Sequence, residues 1–285
     1  MAETARAAIG RAARQFADFS QSPVLDAELL MAHAMACTRE TLLLARLDEP
    51  APEGFAALVA RRLTHEPIAY ITGSRAFWTV EIGVGPGVLV PRADSETLIE
   101  AAIAHFKHQP PATIVDLGTG PGTLLLAALA AWPDAFGLGI DRSPMAIALA
   151  RANATRNGLE RRAHFVVGDW ATAVSAPFDL VLANPPYIAE GAVLPREVWD
   201  HEPPEALFAG PDGLADFAQI VPQLRALVAP GGAAIVEIGV AQAAPVTRFF
   251  EANGFVAMVR HDLAGHARAV VAVATSPIRL ARCGT

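Results

Sequence analysis

The sequence predicts an α/β protein: a doubly wound, mostly parallel seven-stranded sheet, preceded by a small helical bundle and a β-hairpin. Three observations lead there. Beyond Pro91, short apolar runs alternate with longer helical stretches, the pattern of parallel strands joined by crossover helices. Before about Thr64 the apolar residues recur only at helical spacing. Between Ala69 and Val90 the spacing changes to alternation interrupted by glycines.

Four short helices account for the beginning of the chain. Their apolar faces are Ala8, Ala12, Phe16 and Phe19; Leu25, Leu29, Leu30 and Ala34; Leu42, Leu43 and Leu47; and Phe55, Leu58, Val59 and Leu63. Ser22-Pro23 marks the start of the second, Thr38 can cap the third, and Glu49-Pro50-Ala51-Pro52 separates the third from the fourth. Tyr70, Ile71, Phe77, Trp78, Val80, Ile82 and Val84, broken by Gly73, Gly83, Gly85 and Gly87, read as a hairpin. Strands follow at 113–117, 136–140, 163–167, 180–183, 233–238, 255–260 and 269–274, with helices at 95–106, 122–131, 143–157, 214–227 and 245–253. The expected domains are 1–68, helical; 69–92, a hairpin linker; and 93–285, the α/β domain.

Composition narrows the function. Of 285 residues 53% are hydrophobic and 18% charged, so the chain can bury enough surface to offset ordering entropy, and disorder is excluded. The longest apolar stretch, 117–133, begins in a glycine loop and contains Thr and Pro, which is not a membrane span. The first nineteen residues carry Glu3, Arg6, Arg11 and Arg14 in a helical pattern, unlike a secretory signal. With only Cys37 and Cys283, neither a disulfide framework nor a cysteine metal cage is available, and a reducing cytoplasm is the expected setting. The net charge of −7 speaks against an unspecific grip on phosphates, and hence against a nucleic-acid partner, while the lack of an unbroken apolar span speaks against a membrane. His105 and His108 near the end of one helix lack a third metal ligand, and Arg61-Arg62 reads as a solvated face.

Three constellations carry chemistry. Asp116-Leu-Gly118-Thr119-Gly120-Pro121-Gly122 lies where a strand turns into a helix, the place where open α/β sheets bind ligands. Such a loop also serves as a tight turn without a ligand, but Asp141 ends the next strand, where a carboxylate can accept bonds from ribose hydroxyls. The alternating glycines suit a sugar and base without a pyrophosphate. Gly168-Asp169-Trp170 follows the third strand; an acid and an indole there can bond an adenine amino group and cover its face, although a tryptophan also serves as an ordinary packed aromatic. Asn184-Pro185-Pro186-Tyr187 follows an apolar strand. Two prolines stiffen the backbone without amide donors, so its carbonyls and the Asn184 side-chain oxygen are free to accept bonds from a substrate NH2, with Tyr187 packed against the planar group. The plainer alternative is a proline-stiffened turn opened by Asn.

In this order the motifs resemble a class I methyltransferase dependent on S-adenosylmethionine, of the branch that methylates planar or amide nitrogens. Over most of its length the chain resembles the PrmC/HemK family of peptide chain release factor glutamine methyltransferases. The matching segments include 66–73, 88–92 with 94–96, 184–188, Glu202-Pro203, 210–214, 230–232, 237–239 with Gln242, and 262–265 with Arg268. The resemblance implies methyl transfer to the side-chain amide nitrogen of the glutamine in the Gly-Gly-Gln loop of class I release factors, without metal. It implies that Gly118, Thr119, Gly120, Pro121, Gly122, Asp141, Asp169, Trp170 and Asn184 bind the cofactor. It further implies that Asn184, Pro185, Pro186 and Tyr187 grip the glutamine, with Asn184, Pro185 and Tyr187 catalytic, and that the helical domain helps dock the release factor. Pro121, Ala93 and His201 depart from the family's usual residues. The alternative within the same chemistry is a nucleic-acid amino methyltransferase acting on adenine or guanine.

Overall fold

The computed structural model describes residues 3–172 and 174–275, so Cys283 and the last ten residues of the expected 93–285 domain lie outside the described residues. The chain forms two compact units. One comprises the chain up to Arg75 with Val84–Val90 and Val193–Glu202; the other comprises Ala76–Gly83, Pro91–Ala192 and the chain from Pro203 onward.

The first unit is helical. Helix α1 spans Ala5–Phe16 and α2 spans Pro23–Ala34; α3, Arg39–Thr41, runs into a wider π-type turn at Leu42–Arg46; α4 spans Phe55–Leu63 and α5 Ile68–Thr72. The sequence signals act as expected: Thr38 accepts from the Thr41 N–H at 3.1 Å, and Pro23 occupies the first turn of α2, where its missing N–H costs nothing. Ala8, Ala12, Phe16, Leu30, Met31, Leu42, Phe55 and Val59 form one core. Two readings change. Residues 69–72, at the start of the expected hairpin linker, belong instead to α5, because adjacent Tyr70 and Ile71 are both buried, which a strand's alternation forbids, and Gly73 at φ 82° closes the helix. Arg62 is not on a solvated face. It is buried at 4% exposure, pairs with Asp26 and Glu197 at 2.8 Å each, and stacks on Phe19, whereas Arg61 beside it points outward to Glu66.

The strands of the hairpin are β1, Ser74–Phe77, and β2, Val80–Gly83, turning at Trp78 with φ 54°. In the second unit a short 3₁₀ turn, Ala93–Ser95, leads into α6, Glu96–His105; His108 therefore lies past the helix end. Then come β3 (Thr113–Leu117), α7 (Thr123–Ala131), β4 (Phe136–Asp141), α8 (Pro144–Arg156), β5 (Ala163–Val167), β6 (Phe178–Ala183), α10 (Ala215–Leu227), β7 (Val228–Glu237), α11 (Ala243–Ala252), β8 (Phe255–His261) and β9 (Ala267–Ala274). The remaining helix, α9, Arg196–Trp199, belongs to the first unit.

The seven strands take the order β5-β4-β3-β6-β7-β9-β8, parallel from β5 to β7 and antiparallel around β9. Val115, Leu117, Val181 and Val236 pack with Phe217, Val221, Leu224 and Phe250 of α10 and α11. Ile114, Leu180 and Leu182, one residue out of step, are equally buried on the opposite face, where α7 packs on β3. The apolar run after the glycine loop is α7, whose residues from Leu124 to Leu129 are buried on every side; it is a core helix. Strand β7 begins at Val228, five residues before the expected start. The Pro230-Gly231-Gly232 segment is carried inside it as an irregularity, and at Gly232 a Cβ would stand 2.5 Å from the Asp179 carbonyl oxygen.

Candidate active site

The sheet places the candidate residues along one edge. Leu117 pairs with Ile140 on one side and Ala183 on the other, and Ala183 pairs with Val236, so Gly118, Asp141, Asn184 and Glu237 all lie at the carboxyl ends of adjacent parallel strands. Strand order reverses between β3 and β6, the point at which open parallel sheets bind ligands, and the glycine loop and Asn184 leave the two strand ends that flank it.

The glycine loop is held by main-chain bonds and one acid. The N–H groups of Gly118 and Thr119 both donate to the Ile140 carbonyl at 2.9 Å. The Gly120 N–H donates to Asp141 Oδ2 and the Ser143 N–H to Asp141 Oδ1, each at 2.8 Å, so one carboxylate ties the loop to the start of α8. Gly118 has φ 70°, and a Cβ there would stand 2.9 Å from the Trp170 ring: the indole lies directly against the loop. A Cβ on Gly120 would meet nothing within 4 Å, so the loop leaves open space on that side. Trp170 is half-buried with φ 46°, while Asp169 before it is exposed. Pro121 offers its carbonyl to the buried Asn153 amide at 2.8 Å, and Asn153 also bonds both the N–H and C=O of Gly83. Beneath the loop Asp116 is 1% exposed; its Oδ2 accepts from Thr119 Oγ1 at 2.6 Å, and burial pushes its carboxyl up to about 7.

The Asn184–Tyr187 segment is held instead by side chains distant in sequence. Asn184 Nδ2 donates to Ser95 Oγ at 3.4 Å, which leaves Oδ1 as the acceptor of that amide. The Tyr187 hydroxyl donates to Glu237 Oε1 at 3.2 Å, and burial followed by the Glu237 charge raises the phenol above its usual value. Gln242 Nε2 donates to the Tyr187 carbonyl at 2.9 Å and to the Gly213 carbonyl at 3.0 Å, while its Oε1 accepts from the Gly239 N–H. Beyond Tyr187 the chain pairs as Ile188 with Phe208, through Ile188 N–H to the Leu207 carbonyl and Ala209 N–H to the Ile188 carbonyl.

A search against family models finds the PrmC N-terminal domain at residues 7–73 and the methyltransferase small domain at 93–200. The release factor glutamine methyltransferase of Rhodospirillum rubrum is 43% identical over 258 residues, covering 88% of this chain and 79% of the relative. That of Cereibacter sphaeroides is 40% identical and covers 95% of this chain and 97% of the relative. The chain belongs to the release factor glutamine methyltransferase family. Among solved structures, the catalytic domain of hMettl16 in complex with the MAT2A 3'UTR hairpin 6 is similar with TM-score 0.51 at 16% identity, covering 70% of this chain and 77% of that one. A methyltransferase from Pyrococcus furiosus has TM-score 0.50, also at 16%, covering 68% and 87%. At these identities the likeness speaks for the class I methyltransferase fold.

Every residue expected in the site of this family member falls on the same sheet edge or the loops leaving it. Ser95, Asn153, Glu237 and Gln242 had no role from sequence. For Glu237 the signal was present: it ends an apolar strand, as Asp141 does and Asp116 nearly does. Among the described residues no cluster of three or more His, Cys, Asp or Glu could hold a metal, and no helix is long and apolar enough to cross a membrane.

Proposed function

We propose that this chain transfers a methyl group from S-adenosylmethionine to the side-chain amide nitrogen of the glutamine in the Gly-Gly-Gln loop of class I release factors. One observation carries the reading. At the end of β6 Asn184 keeps its amide nitrogen on Ser95 and leaves its oxygen as an acceptor, in a segment whose two prolines contribute no N–H. That is a site for a donor NH2 group.

The residues of the glycine loop fit the cofactor: the open side at Gly120, the acid at the end of β4 and the indole against Gly118 suit a ligand with a sugar and a flat base. Gly118, Thr119, Gly120, Pro121, Gly122, Asp141, Asp169 and Trp170 would hold it, with Asn184 shared between the cofactor and the glutamine. When bound, it supplies a methyl group on a sulfonium, an electrophile that a well-placed nitrogen can take directly. The protein's part is placement. Asn184 Oδ1 and the Pro185 carbonyl would each accept one N–H of the glutamine amide, fixing the nitrogen and loading electron density onto it, while Tyr187 packs on the planar group. After attack the nitrogen is cationic and acidic, and its proton leaves to water without a dedicated base.

Residues 1–68 are proposed as the recognition domain for the release factor, 69–92 as the linker and 93–285 as the catalytic domain. The net charge of −7 favours a protein loop over a phosphate backbone as partner. Incubation with S-adenosylmethionine and a purified release factor, digestion and mass spectrometry should show one added methyl on the Gly-Gly-Gln peptide. An unmodified peptide with proven cofactor binding defeats the proposal, and a salt-sensitive gel shift with duplex DNA or RNA would then favour the nucleic-acid reading.

A further inference from the structure

Strand β2 belongs to a sheet of two strands, so one of its edges has no strand to pair with. Two side chains of α8 and its cap, one turn apart, supply the missing partners. Asn153 Oδ1 accepts from the Gly83 N–H at 2.8 Å, and its Nδ2 donates to the Gly83 carbonyl at 3.0 Å. Asn157, at the C-cap of the helix, repeats the pattern at Glu81: its Oδ1 accepts from the N–H at 3.1 Å and its Nδ2 donates to the carbonyl at 2.9 Å. Four helical residues rise about 6 Å and two strand residues about 6.7 Å, so amides at i and i+4 meet alternate residues of the strand as a neighbouring strand would. Each amide then has one N–H left. Asn157 donates it to the Asn153 carbonyl of its own helix at 2.8 Å, whereas Asn153 donates it to the Pro121 carbonyl of the glycine loop at 2.8 Å.

Asn153 is 1% exposed, and its three bonds use both N–H groups and the oxygen of the amide. A turned amide would set N–H against N–H and oxygen against a carbonyl, so one orientation serves hairpin and loop together. On the loop side the bond fixes the carbonyl between Gly120, whose N–H is held by Asp141, and Gly122 at φ 89°, where the chain turns into α7. On the hairpin side Gly83 is the last residue of the larger unit before the chain enters Val84–Val90 of the helical one. A Cβ on Gly83 would stand 2.8 Å from Asn153 Oδ1, so the amide needs a glycine there. We infer that Asn153 is a positioning residue for the cofactor loop and couples it to the hairpin: seating of β2 on α8 and binding of S-adenosylmethionine each favour the other, while Asn157 holds the hairpin alone. Such a coupling is reciprocal. It rests on the assignment of the loop at 118–122 to the cofactor and is independent of the methyl acceptor.

The asparagine pair contains its own control. Asn153→Ala removes the bond to Pro121 together with the hold on Gly83 and should weaken S-adenosylmethionine binding, read by calorimetry, by about tenfold. Asn157→Ala leaves Asn153 on both partners and should weaken it by no more than about threefold. Gly83→Ala acts from the hairpin side: the added methyl group displaces the Asn153 oxygen, and affinity for the cofactor should fall by about threefold to tenfold. Added to Asn153→Ala it should cost nothing further, since both act through one amide. Amide hydrogen exchange gives a readout that a merely structural role would not move. In the parent, saturating S-adenosylmethionine should slow exchange at 80–83 as well as at 118–122, with β8 at the far edge of the sheet unchanged. In Asn153→Ala and Gly83→Ala the slowing at 80–83 should vanish and that at 118–122 remain. Should Asn153→Ala fail to fold, Gly83→Ala and the parent's exchange pattern decide. Unchanged affinity in Gly83→Ala, or exchange at 80–83 that ignores the cofactor in the parent, overturns the inference. A bound cofactor that leaves 118–122 itself unprotected overturns the assignment of the loop instead, so the two failures are distinct.

Discussion

The glycine loop and the Asn184–Tyr187 segment leave neighbouring strand ends, and each covers one buried acid, yet they are built on opposite plans. The loop at 118–122 is held by main-chain bonds to Ile140 and by Asp141, which follows it on the adjacent strand. The substrate segment is held by Ser95, Gly213, Glu237 and Gln242, residues tens of positions away on either side. A ligand that is the same in every turnover can be met by a local, backbone-made cradle. A substrate amide needs acceptors of fixed direction, and fixing a side chain takes partners from several elements.

The largest expected effect breaks the two regions apart. Asn184→Ala removes the acceptor while leaving the glycine loop and its carboxylate clamp untouched. The rate should fall by on the order of a hundredfold to a thousandfold, the cost of losing a preorganised hydrogen bond to a reacting group. Because Asn184 is proposed to be shared with the cofactor, affinity measured by calorimetry should fall as well, but far less than the rate; a comparable loss of both would mean that the two regions are one unit.

Gly213→Ala attacks the substrate segment from behind. Gly213 has φ 73°, and an added Cβ would stand 2.3 Å from the Tyr187 carbonyl oxygen and 2.9 Å from Gln242 Nε2. The Gln242 clamp and the Tyr187 backbone cannot both keep their places, and strain of about 1–3 kcal/mol follows. The expected outcome is a rate lowered by about tenfold or more, with cofactor binding retained and a reduced melting temperature. Full activity in this variant would show that the clamp is dispensable.

The contrast also explains what could be read from the chain. Apart from the early start of β7, the seven strands of the sheet and the five helices of the larger unit lie where the apolar runs and glycines put them, because in a mostly parallel sheet covered on both faces each short buried run has one role. The glycine loop and Asp141 were legible for the same local reason, since their signals sit together at a strand end. Ser95 and Gln242 were not, because a serine after Asp94 and a glutamine after Gly239 look like ordinary helix-start residues until the fold brings them to the segment they hold. Arg62 was misplaced on the same ground. Its neighbour Arg61 shares its chemistry and differs only in facing outward, and Asp26 and Glu197, the acids that permit its burial, are 36 and 135 residues away.

Asp141→Asn tests the other side of the comparison. Both carboxylate oxygens accept backbone N–H bonds, from Gly120 and Ser143, and an amide would turn a donor against one of them. The expected cost of about 1–2 kcal/mol should appear as a roughly tenfold weaker affinity for S-adenosylmethionine. The rate at saturating cofactor should change far less, the reverse of Asn184→Ala.

The smallest effect is one of pH, and it falls on both regions alike. Burial raises Asp116 from 3.8 and Glu237 from 4.5 to about 7 in the folded protein. Between those limits the folded state holds more protons than the unfolded state, so stability declines as pH rises. The contribution of these two groups is fully present below about pH 4 and is lost as pH passes through about 7. Denaturant midpoints measured from pH 5 to 8 should therefore fall more steeply in the parent than in Asp116→Asn/Glu237→Gln, in which neither position titrates. Since both groups rise to a similar value, each single variant should remove a comparable part of the slope. A slope that survives in the double variant would mean that other groups set it, and that neither the loop nor the substrate segment rests on an acid that resists ionisation.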